Sequence, residues 1–216
     1  MKRYRQYCSV ARALDVVGDR WVLLIVRELL ALGPSRYSDL KRGLPGIATN
    51  LLADRLRSME AEGLIERYDA PPPVGTTLFR LTDRGRQLQD VLTALAAWGL
   101  ETMAPGPDPD DAVQPHWPAL AGALLLPELP TSGTEIVLGI ESDGETLRIV
   151  LREDTFEIRR GSAPAPDLTL TGTSTLVGAV LSGALTPGEA TAAGLRITDP
   201  ARLLPSLLGT PTGPSA

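Results

Sequence analysis

The stretch that decides the fold of this chain lies in its first half and reads Gly46-Ile47-Ala48-Thr49-Asn50-Leu51-Leu52-Ala53-Asp54-Arg55-Leu56-Arg57-Ser58-Met59-Glu60-Ala61-Glu62-Gly63-Leu64-Ile65. Its apolar residues Leu52, Leu56 and Met59 recur at helical spacing and predict one buried stripe. At 100° per residue, the opposite face carries Asn50, Asp54, Arg57 and Ala61. The pattern therefore predicts an amphipathic helix that ends at Gly63 and runs into a strand.

A helix of this kind has two interpretations. It can be an ordinary surface helix, or it can press its apolar side on a core and offer its polar side to the major groove of DNA, which admits one helix. The segments on either side of it are needed to distinguish the two.

Composition and charge set the broad class of protein. The 216 residues, 43% hydrophobic and 22% charged, suit two small globular domains. The net charge of −5 is unevenly spread, because residues 1–104 carry +3 and residues 105–216 carry −8. The first half can therefore tolerate a polyanion, and the second half should be repelled by one.

The cysteine count and the apolar runs predict where the protein works. One cysteine, Cys8, excludes an internal disulfide and fits a reducing compartment. The longest apolar run, Trp21 to Val26, is too short to span a bilayer, and the start has no signal-peptide core. We therefore expect a cytoplasmic protein with no membrane partner.

A proline- and aspartate-rich segment after Met103 marks a domain boundary. It lacks apolar periodicity, and its prolines should make it a stiff linker. We predict a first domain over residues 1–104, a linker over 105–115 and a second domain over 116–216.

The first domain has the element order of a winged helix-turn-helix. Two helices, Cys8–Val17 and Trp21–Leu32, are followed by a short helix from an N-cap at Ser38 to Gly43. The helix described above comes next, then two strands, Leu64–Tyr68 and Thr76–Leu81. Thr82 is expected to cap a last helix, Asp83–Met103.

These residues resemble the HxlR-type, MarR-like transcriptional regulators over about residues 7–103. The resemblance rests on motifs in the right order and spacing, among them Tyr7-Cys8, Gly18-Asp19-Arg20-Trp21, Arg36-Tyr37-Ser38-Asp39-Leu40, Leu44-Pro45-Gly46-Ile47, Glu62-Gly63-Leu64-Ile65-Glu66-Arg67, Leu81-Thr82-Asp83-Arg84-Gly85 and Trp98-Gly99. It implies a homodimer that binds double-stranded DNA at a pseudo-palindromic operator and acts as a repressor or an activator.

The resemblance also implies roles at the DNA. Arg57 and Asn50 are the candidates for base-edge contacts, since arginine suits guanine and asparagine suits adenine. Thr49 and Ser38 lie near helix N-termini, which favour phosphate. Ala53 and Asp54 belong to the same face; Asp54 would be repelled by phosphate unless it accepts from cytosine or pairs with an arginine. Four basic residues are either phosphate contacts or helix-flank ion pairs: Arg36, Lys41, Arg42 and Arg55.

The chain departs from the family pattern at Asp54 and at two further places. Ala48 stands where members usually have serine, so we expect the cap of the recognition helix to shift to Thr49. The wing tip has three prolines and no basic residue, so contacts of Thr76 and Thr77 to phosphate are favoured over minor-groove reading.

The last helix is a candidate for the dimer interface, and the cysteine is a candidate for a redox switch. Leu88, Leu92, Leu95 and Trp98 form a stripe that predicts the dimer seam, together with the first helix; burial within one subunit is the alternative. Cys8 stands where some members carry a redox or electrophile switch, but a lone cysteine can equally be a small buried hydrophobe.

The second domain resembles the sterol-carrier-protein-2-like fold over about residues 116–209. The resemblance rests on Pro166 to Thr173, Leu181 to Pro187 and Ala193 to Ile197. It implies an α+β domain with a mainly antiparallel sheet backed by helices. An apolar tunnel for a small molecule would be lined by Leu176, Val180, Leu181, Leu203, Leu204 and Leu207; an ordinary core would use the same residues.

No catalytic or metal-binding constellation occurs in the sequence. His116 has no Cys or His partner, and neither a P-loop nor a dinucleotide-binding glycine motif is present. We therefore expect a non-enzymatic regulator without a cofactor, possessing an α+β fold of two domains and modulated by an apolar effector. The alternative is a lipid or sterol-type carrier whose winged helix serves dimer assembly.

Overall fold

The structure is a computed structural model that describes residues 3–72, 75–103, 108, 110–126, 133–153 and 155–209. It divides into two compact units between Leu92 and Thr93. This division lies inside the last helix of the first predicted domain rather than at the predicted linker. Leu92 is the buried residue of that helix, and the residues that follow it add little to the first core. Residues 105–107 and 109 of the predicted linker lie outside the described residues.

The first unit has the predicted order of helices and strands. In chain order its elements are α1 (Ser9–Val17), α2 (Val22–Leu32), α3 (Tyr37–Gly43), α4 (Thr49–Ala61), β1 (Ile65–Asp69), β2 (Thr77–Leu81), α5 (Asp83–Arg86) and the start of α6 (Leu88–Leu100), whose residues after Leu92 belong to the second unit. A 3-10 turn, Glu101–Met103, follows α6. Helix α3, a turn and helix α4 form the helix-turn-helix, and β1 with β2 forms the wing.

Helix α4 packs against the core of the first unit through its apolar stripe. Leu52, Leu56 and Met59 are each at most 3% exposed, so the apolar stripe predicted from their spacing faces inward. Burying a side chain of this size contributes about 1.5–3 kcal/mol. Leu40 and Leu44 are buried on the α3 side of the same core. The polar side of α4 is consequently directed to solvent.

The wing is an antiparallel pair that is tied to the chain between α2 and α3. Ile65 is paired with Leu81 and Asp69 with Thr77. Ser35 and Phe79 exchange two backbone hydrogen bonds, each 2.9 Å long, so the wing strand β2 is anchored beside α3. The predicted ribbon is confirmed within one residue at each end.

The last helix of the first domain is interrupted, whereas we expected a continuous helix from Asp83 to Met103. Thr82 caps α5 as predicted, accepting a hydrogen bond from the Gly85 backbone N–H at 3.1 Å. A methyl group on Gly85 would overlap the Leu64 carbonyl, so α5 is held tightly against the base of the wing. The chain leaves this short helix at Gln87, and α6 begins at Leu88.

The second unit is an α+β arrangement with a mainly antiparallel sheet. Its elements are α7 (His116–Leu125), β3 (Ile136–Ser142), β4 (Glu145–Arg152), β5 (Thr155–Arg160), β6 (Leu168–Gly172), α8 (Ser174–Leu181), α9 (Pro187–Ala192), β7 (Arg196–Thr198) and α10 (Leu204–Leu207). The described strands run in the order β5-β4-β3-β6-β7. Strands β3 and β6 are parallel, and the other neighbouring pairs are antiparallel.

Local sequence signals account for several boundaries of the second unit. Asp143 and Gly144 both have positive φ, as a two-residue hairpin turn requires, and they join β3 to β4. The final helix is shorter than the predicted Pro200–Leu208, because the Asp199 carboxylate accepts from the backbone N–H groups of Leu203 and Leu204. That carboxylate satisfies the free donors at the start of α10, so the helix begins later.

Two further observations concern helices of the chain. His116 is fully buried at the first turn of α7. Among the described residues, no helix is both long enough and apolar enough to cross a membrane.

Candidate nucleic-acid interface

The outward face of α4 carries the side chains that we expected to read bases. Asn50, Asp54, Arg57 and Ala61 are all exposed, and Ala53 is half-buried beside them. Neither a large apolar side chain nor a backbone segment of the first unit covers this face within the described residues. The orientation predicted from the 100° periodicity is confirmed.

Arg57 is not an isolated cation on this face. Its Nη2 donates to Oδ1 of Asp54, three residues earlier on α4. The side chains of Arg57 and Asp54 are 73% and 56% exposed, so the pair lies at the surface. Of the two arrangements we considered for Asp54, the unbound chain therefore adopts the pair with a neighbouring arginine.

The N-terminus of α4 differs from our expectation. Ala48 is the N-cap residue, no side chain caps it, and Thr49 is already the first residue of the helix. The expected shift of the cap to Thr49 is thus wrong. The Thr49 carbonyl instead accepts a hydrogen bond from the Tyr37 hydroxyl at 2.7 Å. An N-terminus without a side-chain cap leaves backbone N–H groups available to an anion.

Helix α3 also begins differently from the prediction. Ser38 is exposed in the first turn and is not the N-cap; Arg36 occupies that position. The Asp39 carboxylate accepts from the Arg36 backbone N–H at 3.3 Å and takes over the capping function that we assigned to Ser38. Ser38 remains exposed near the start of a helix, where a hydroxyl can reach a phosphate.

The alternatives left open for the basic residues are resolved in part by their contacts. Lys41 donates through Nζ to the Ile47 carbonyl and so holds the turn between α3 and α4. Arg42 pairs with Asp39 at 2.6 Å and stays largely exposed. Arg55 pairs with Asp19 at 2.8 Å, with both side chains about one-fifth exposed. Lys41 and Arg55 are therefore engaged in contacts within the chain, and Arg36 and Arg42 are the exposed basic residues on α3.

The wing offers hydroxyl groups and paired arginines. Thr77 is exposed, and its hydroxyl donates to the Asp69 carboxylate at 2.6 Å across the hairpin. Thr76 is half-buried, and its carbonyl accepts from the Ala70 backbone N–H. Arg80 pairs with Glu66 at 2.7 Å and lies over the Tyr68 ring. Pro73 and Val74 at the tip lie outside the described residues.

The predicted dimer seam is divided between buried and exposed residues. Leu92 is 9% exposed and Leu88 is half-buried, so these two pack within the chain, as our alternative had it. Leu95 is 43% and Trp98 77% exposed. Periodicity grouped the four residues on one face, but it could not show at which residue of the helix burial within the chain ends.

Helix α1 exposes apolar side chains of its own. Val10 and Leu14 are both exposed, one helical turn apart, and Tyr7 precedes them. Cys8, at the N-cap position of α1, is exposed as well, so it is not a small buried hydrophobe in the single chain.

The six residues proposed to line an apolar tunnel are buried or half-buried, as either a tunnel lining or an ordinary core would require. Val180, Leu181, Leu204 and Leu207 are buried, and Leu176 and Leu203 are half-buried. A methyl group on Gly122 of α7 would overlap Leu181, which shows how closely α7 and α8 pack.

The described cavities lie elsewhere. One of about 160 Å³ is found in the first unit, bordered by Asp15, Arg55 and Met59, and one of about 40 Å³ lies beside Gly139 in the second unit. Neither is lined by any of the six predicted tunnel residues. Within the described part of the chain, no three His, Cys, Asp or Glu side chains form a group that could hold a metal ion.

Comparison with known proteins identifies the first half of the chain. Residues 16–106 match the HxlR-like helix-turn-helix family. The uncharacterised HTH-type transcriptional regulator YvaP of Bacillus subtilis is 34% identical over 94 residues, which cover 44% of this chain and 86% of YvaP. YtcD, another such regulator of Bacillus subtilis, is 37% identical over 101 residues, covering 46% of this chain and 78% of YtcD.

One solved structure is also similar to part of this chain. A MarR-family regulator of Porphyromonas gingivalis has 28% identity and a TM-score of 0.42, over 47% of this chain and 98% of that protein. The helix-turn-helix and the wing define a winged-helix fold, and the relatives that the chain matches are HTH-type transcriptional regulators. By its sequence matches, the chain belongs to the HxlR-like helix-turn-helix family.

Proposed function

We propose that this chain is a transcriptional regulator that binds a pseudo-palindromic operator as a homodimer. The observation that carries the proposal is the division of α4 into a buried apolar stripe and an exposed polar face that includes Asn50 and Arg57. In a two-fold dimer, two such helices enter successive major grooves about 34 Å apart.

Each exposed residue near α4 receives a role in this proposal. Arg57 and Asn50 contact base edges, and the uncapped N-terminus of α4 binds a phosphate. Ser38, Arg36 and Arg42 on α3 contact the backbone of the same half-site. Thr77 on the wing reaches a neighbouring phosphate through its hydroxyl.

The dimer is supported by the apolar side chains that α6 and α1 leave exposed. Trp98 and Leu95 on α6, and Val10 and Leu14 on α1, are large hydrophobic groups that gain free energy when a second chain covers them. Trp98→Glu should give a monomer in light scattering and reduce operator affinity by at least tenfold. A Trp98→Glu chain that stays dimeric would contradict this assignment of the seam.

Binding to DNA can be tested on the promoter region of the chain's own gene. Footprinting should show two protected half-sites about one helical turn apart. Arg57→Ala should cost about 1–3 kcal/mol on this operator and much less on random DNA. Arg196→Ala, an exposed arginine on β7 in the second unit, is the matched control and should leave affinity unchanged. Equal losses of Arg57→Ala on both duplexes would reassign Arg57 to phosphate.

For the second unit we propose the sterol-carrier-protein-2-like fold. A mainly antiparallel sheet combined with α7 and α8 supports it. The tight contact of Gly122 with Leu181 argues against a standing apolar tunnel. Native mass spectrometry of the protein purified from its own host should therefore show two chains without a bound apolar molecule. A retained lipid would restore the effector hypothesis.

A further inference from the structure

An aspartate on the DNA-facing side of a recognition helix needs an explanation. Asp54 is exposed on the outer face of α4, where its charge opposes the approach of phosphate. An exposed ion pair with Arg57 contributes little to the stability of the fold, so stability does not account for Asp54. Unlike Arg55, whose partner Asp19 lies outside α4, Arg57 is held by a carboxylate on the face that it shares.

The geometry of the pair leaves Arg57 able to read a base. The contact uses one N–H of Nη2, and a guanidinium carries five donors. The remaining N–H groups can contact O6 and N7 of a guanine in bidentate fashion while Asp54 keeps its hold. The side chain then loses less rotational freedom on binding, because the aspartate has already ordered it.

A phosphate contact by Arg57 is different. It either breaks the pair or brings the Asp54 carboxylate close to the phosphate charge, and both cost free energy. A base contact in the groove keeps Asp54 farther from the phosphate backbone than a phosphate contact by Arg57 would. The pair therefore penalises sequence-independent binding more than it penalises the correct base.

We propose that Asp54 is a specificity-determining residue, which positions Arg57 for guanine and discourages its use on phosphate. The proposal rests on the DNA-binding function proposed above. On this proposal, Asp54 determines how much more tightly the chain binds its operator than random DNA, and it does not determine how tightly the operator is bound.

The chain contains a matched control for the charge of Asp54. Asp39 pairs with Arg42 at the same i, i+3 spacing, but on α3, where the expected contact is with phosphate. Asp39→Asn and Asp54→Asn change the net charge equally. An effect of charge alone should appear in both variants, and an effect on base reading should appear in Asp54→Asn alone.

The experiment measures the affinity of the full chain for the footprinted operator and for a scrambled duplex over a salt series. Asp54→Asn should bind scrambled DNA more tightly and should lower the ratio of operator to scrambled affinity by about fivefold or more. Asp39→Asn should tighten both complexes to the same extent and keep the ratio within about twofold. In the Arg57→Ala background, Asp54→Asn should no longer change the ratio, since Asp54 acts through Arg57.

Two outcomes overturn the proposal, and they are distinguishable. If Asp54→Asn, and Asp54→Ser as a second variant, tighten both complexes equally or leave the ratio unchanged, Asp54 is only a surface charge. If the unaltered chain leaves no footprint on the promoter region, the proposed DNA function fails, and this inference fails with it. Because Asp54 is exposed, its variants should retain the melting temperature of the original chain. Asp39→Asn keeps a side-chain oxygen that can accept from the Arg36 backbone N–H.

Discussion

The Glu28 carboxylate of α2 occupies the space that a side chain on Gly43 of α3 would need. Glu28 is fully buried, and its carboxylate pairs with Arg27 at 2.9 Å. Arg27 also donates to the Gly43 carbonyl at 3.3 Å. Desolvation by burial lowers the pKa of Arg27, and the adjacent Glu28 charge opposes that shift. This cluster fixes the end of α3, directly before the turn that leads into α4.

The first prediction concerns this contact. Gly43→Ala should displace the Glu28 carboxylate and destabilise the first unit by about 1–3 kcal/mol, the usual cost of overpacking. Urea unfolding followed by circular dichroism measures the change. Gly188→Ala is the control, because Gly188 is also helical but its missing side chain would meet no atom within 4 Å. A Gly43→Ala chain as stable as the original would show that the Glu28 side chain moves aside freely.

The second prediction concerns Thr82, which joins the wing to α5. Its hydroxyl accepts from the Gly85 backbone N–H and donates to the Gly63 carbonyl at 2.6 Å. Thr82→Ala removes this N-cap and should lower the free energy of unfolding by about 0.5–2 kcal/mol. Thr82→Ser keeps the hydroxyl and should recover most of the loss in the same unfolding assay. If serine were no better than alanine, packing of the threonine methyl would be responsible.

The third prediction concerns pH and the start of α9. Hydrogen bonds from the Thr186 hydroxyl and the Thr186 backbone N–H to the Glu189 carboxylate lower its pKa below the ordinary glutamate value. A lowered folded-state pKa means that this capping box stabilises the folded chain above the unfolded-state pKa. That contribution is lost as pH falls through the folded-state pKa.

An NMR titration of the Glu189 carboxyl group tests this prediction. Thr186→Ala removes the hydroxyl donor and should raise the pKa of Glu189 toward its ordinary value, while Thr186→Ser should keep it low. Identical titration curves in all three chains would mean that the capping hydrogen bonds do not form in solution.

The fourth prediction concerns Cys8. Because Cys8 is exposed, a thiol reagent such as Ellman's reagent should modify it stoichiometrically without denaturant. Cys8→Ser should show no reaction, which controls for the assay. Labelling that requires denaturant would show that a second chain covers this thiol.

The hypothesis that Cys8 is a redox switch needs a separate test. It fails if the Cys8→Ser chain still releases operator DNA on treatment with oxidant.

Much of the fold could be predicted because its signals are local. The spacing of Leu52, Leu56 and Met59 was enough to orient α4, since a helix turns by a constant angle per residue. The Asp143-Gly144 turn and the Thr82 cap were readable because turn and cap chemistry depends on residues a few positions apart.

The candidate site was predicted less completely than the fold. The exposed face of α4 followed from periodicity, but the partner of each basic residue did not. Arg55 is paired with Asp19 of the chain before α2, and Lys41 holds the Ile47 carbonyl. Sequence spacing alone does not show which distant carboxylate or carbonyl will come within reach of a long, flexible side chain.

By itself the sequence determined the kinds of element, their order and the inward side of α4, because these depend on short-range geometry and the burial of apolar groups. Only the tertiary structure decided that the last helix of the first domain breaks at Gln87 and that Leu181 packs on Gly122. Both depend on the space left between elements that are distant in the chain, which no local pattern of residues shows.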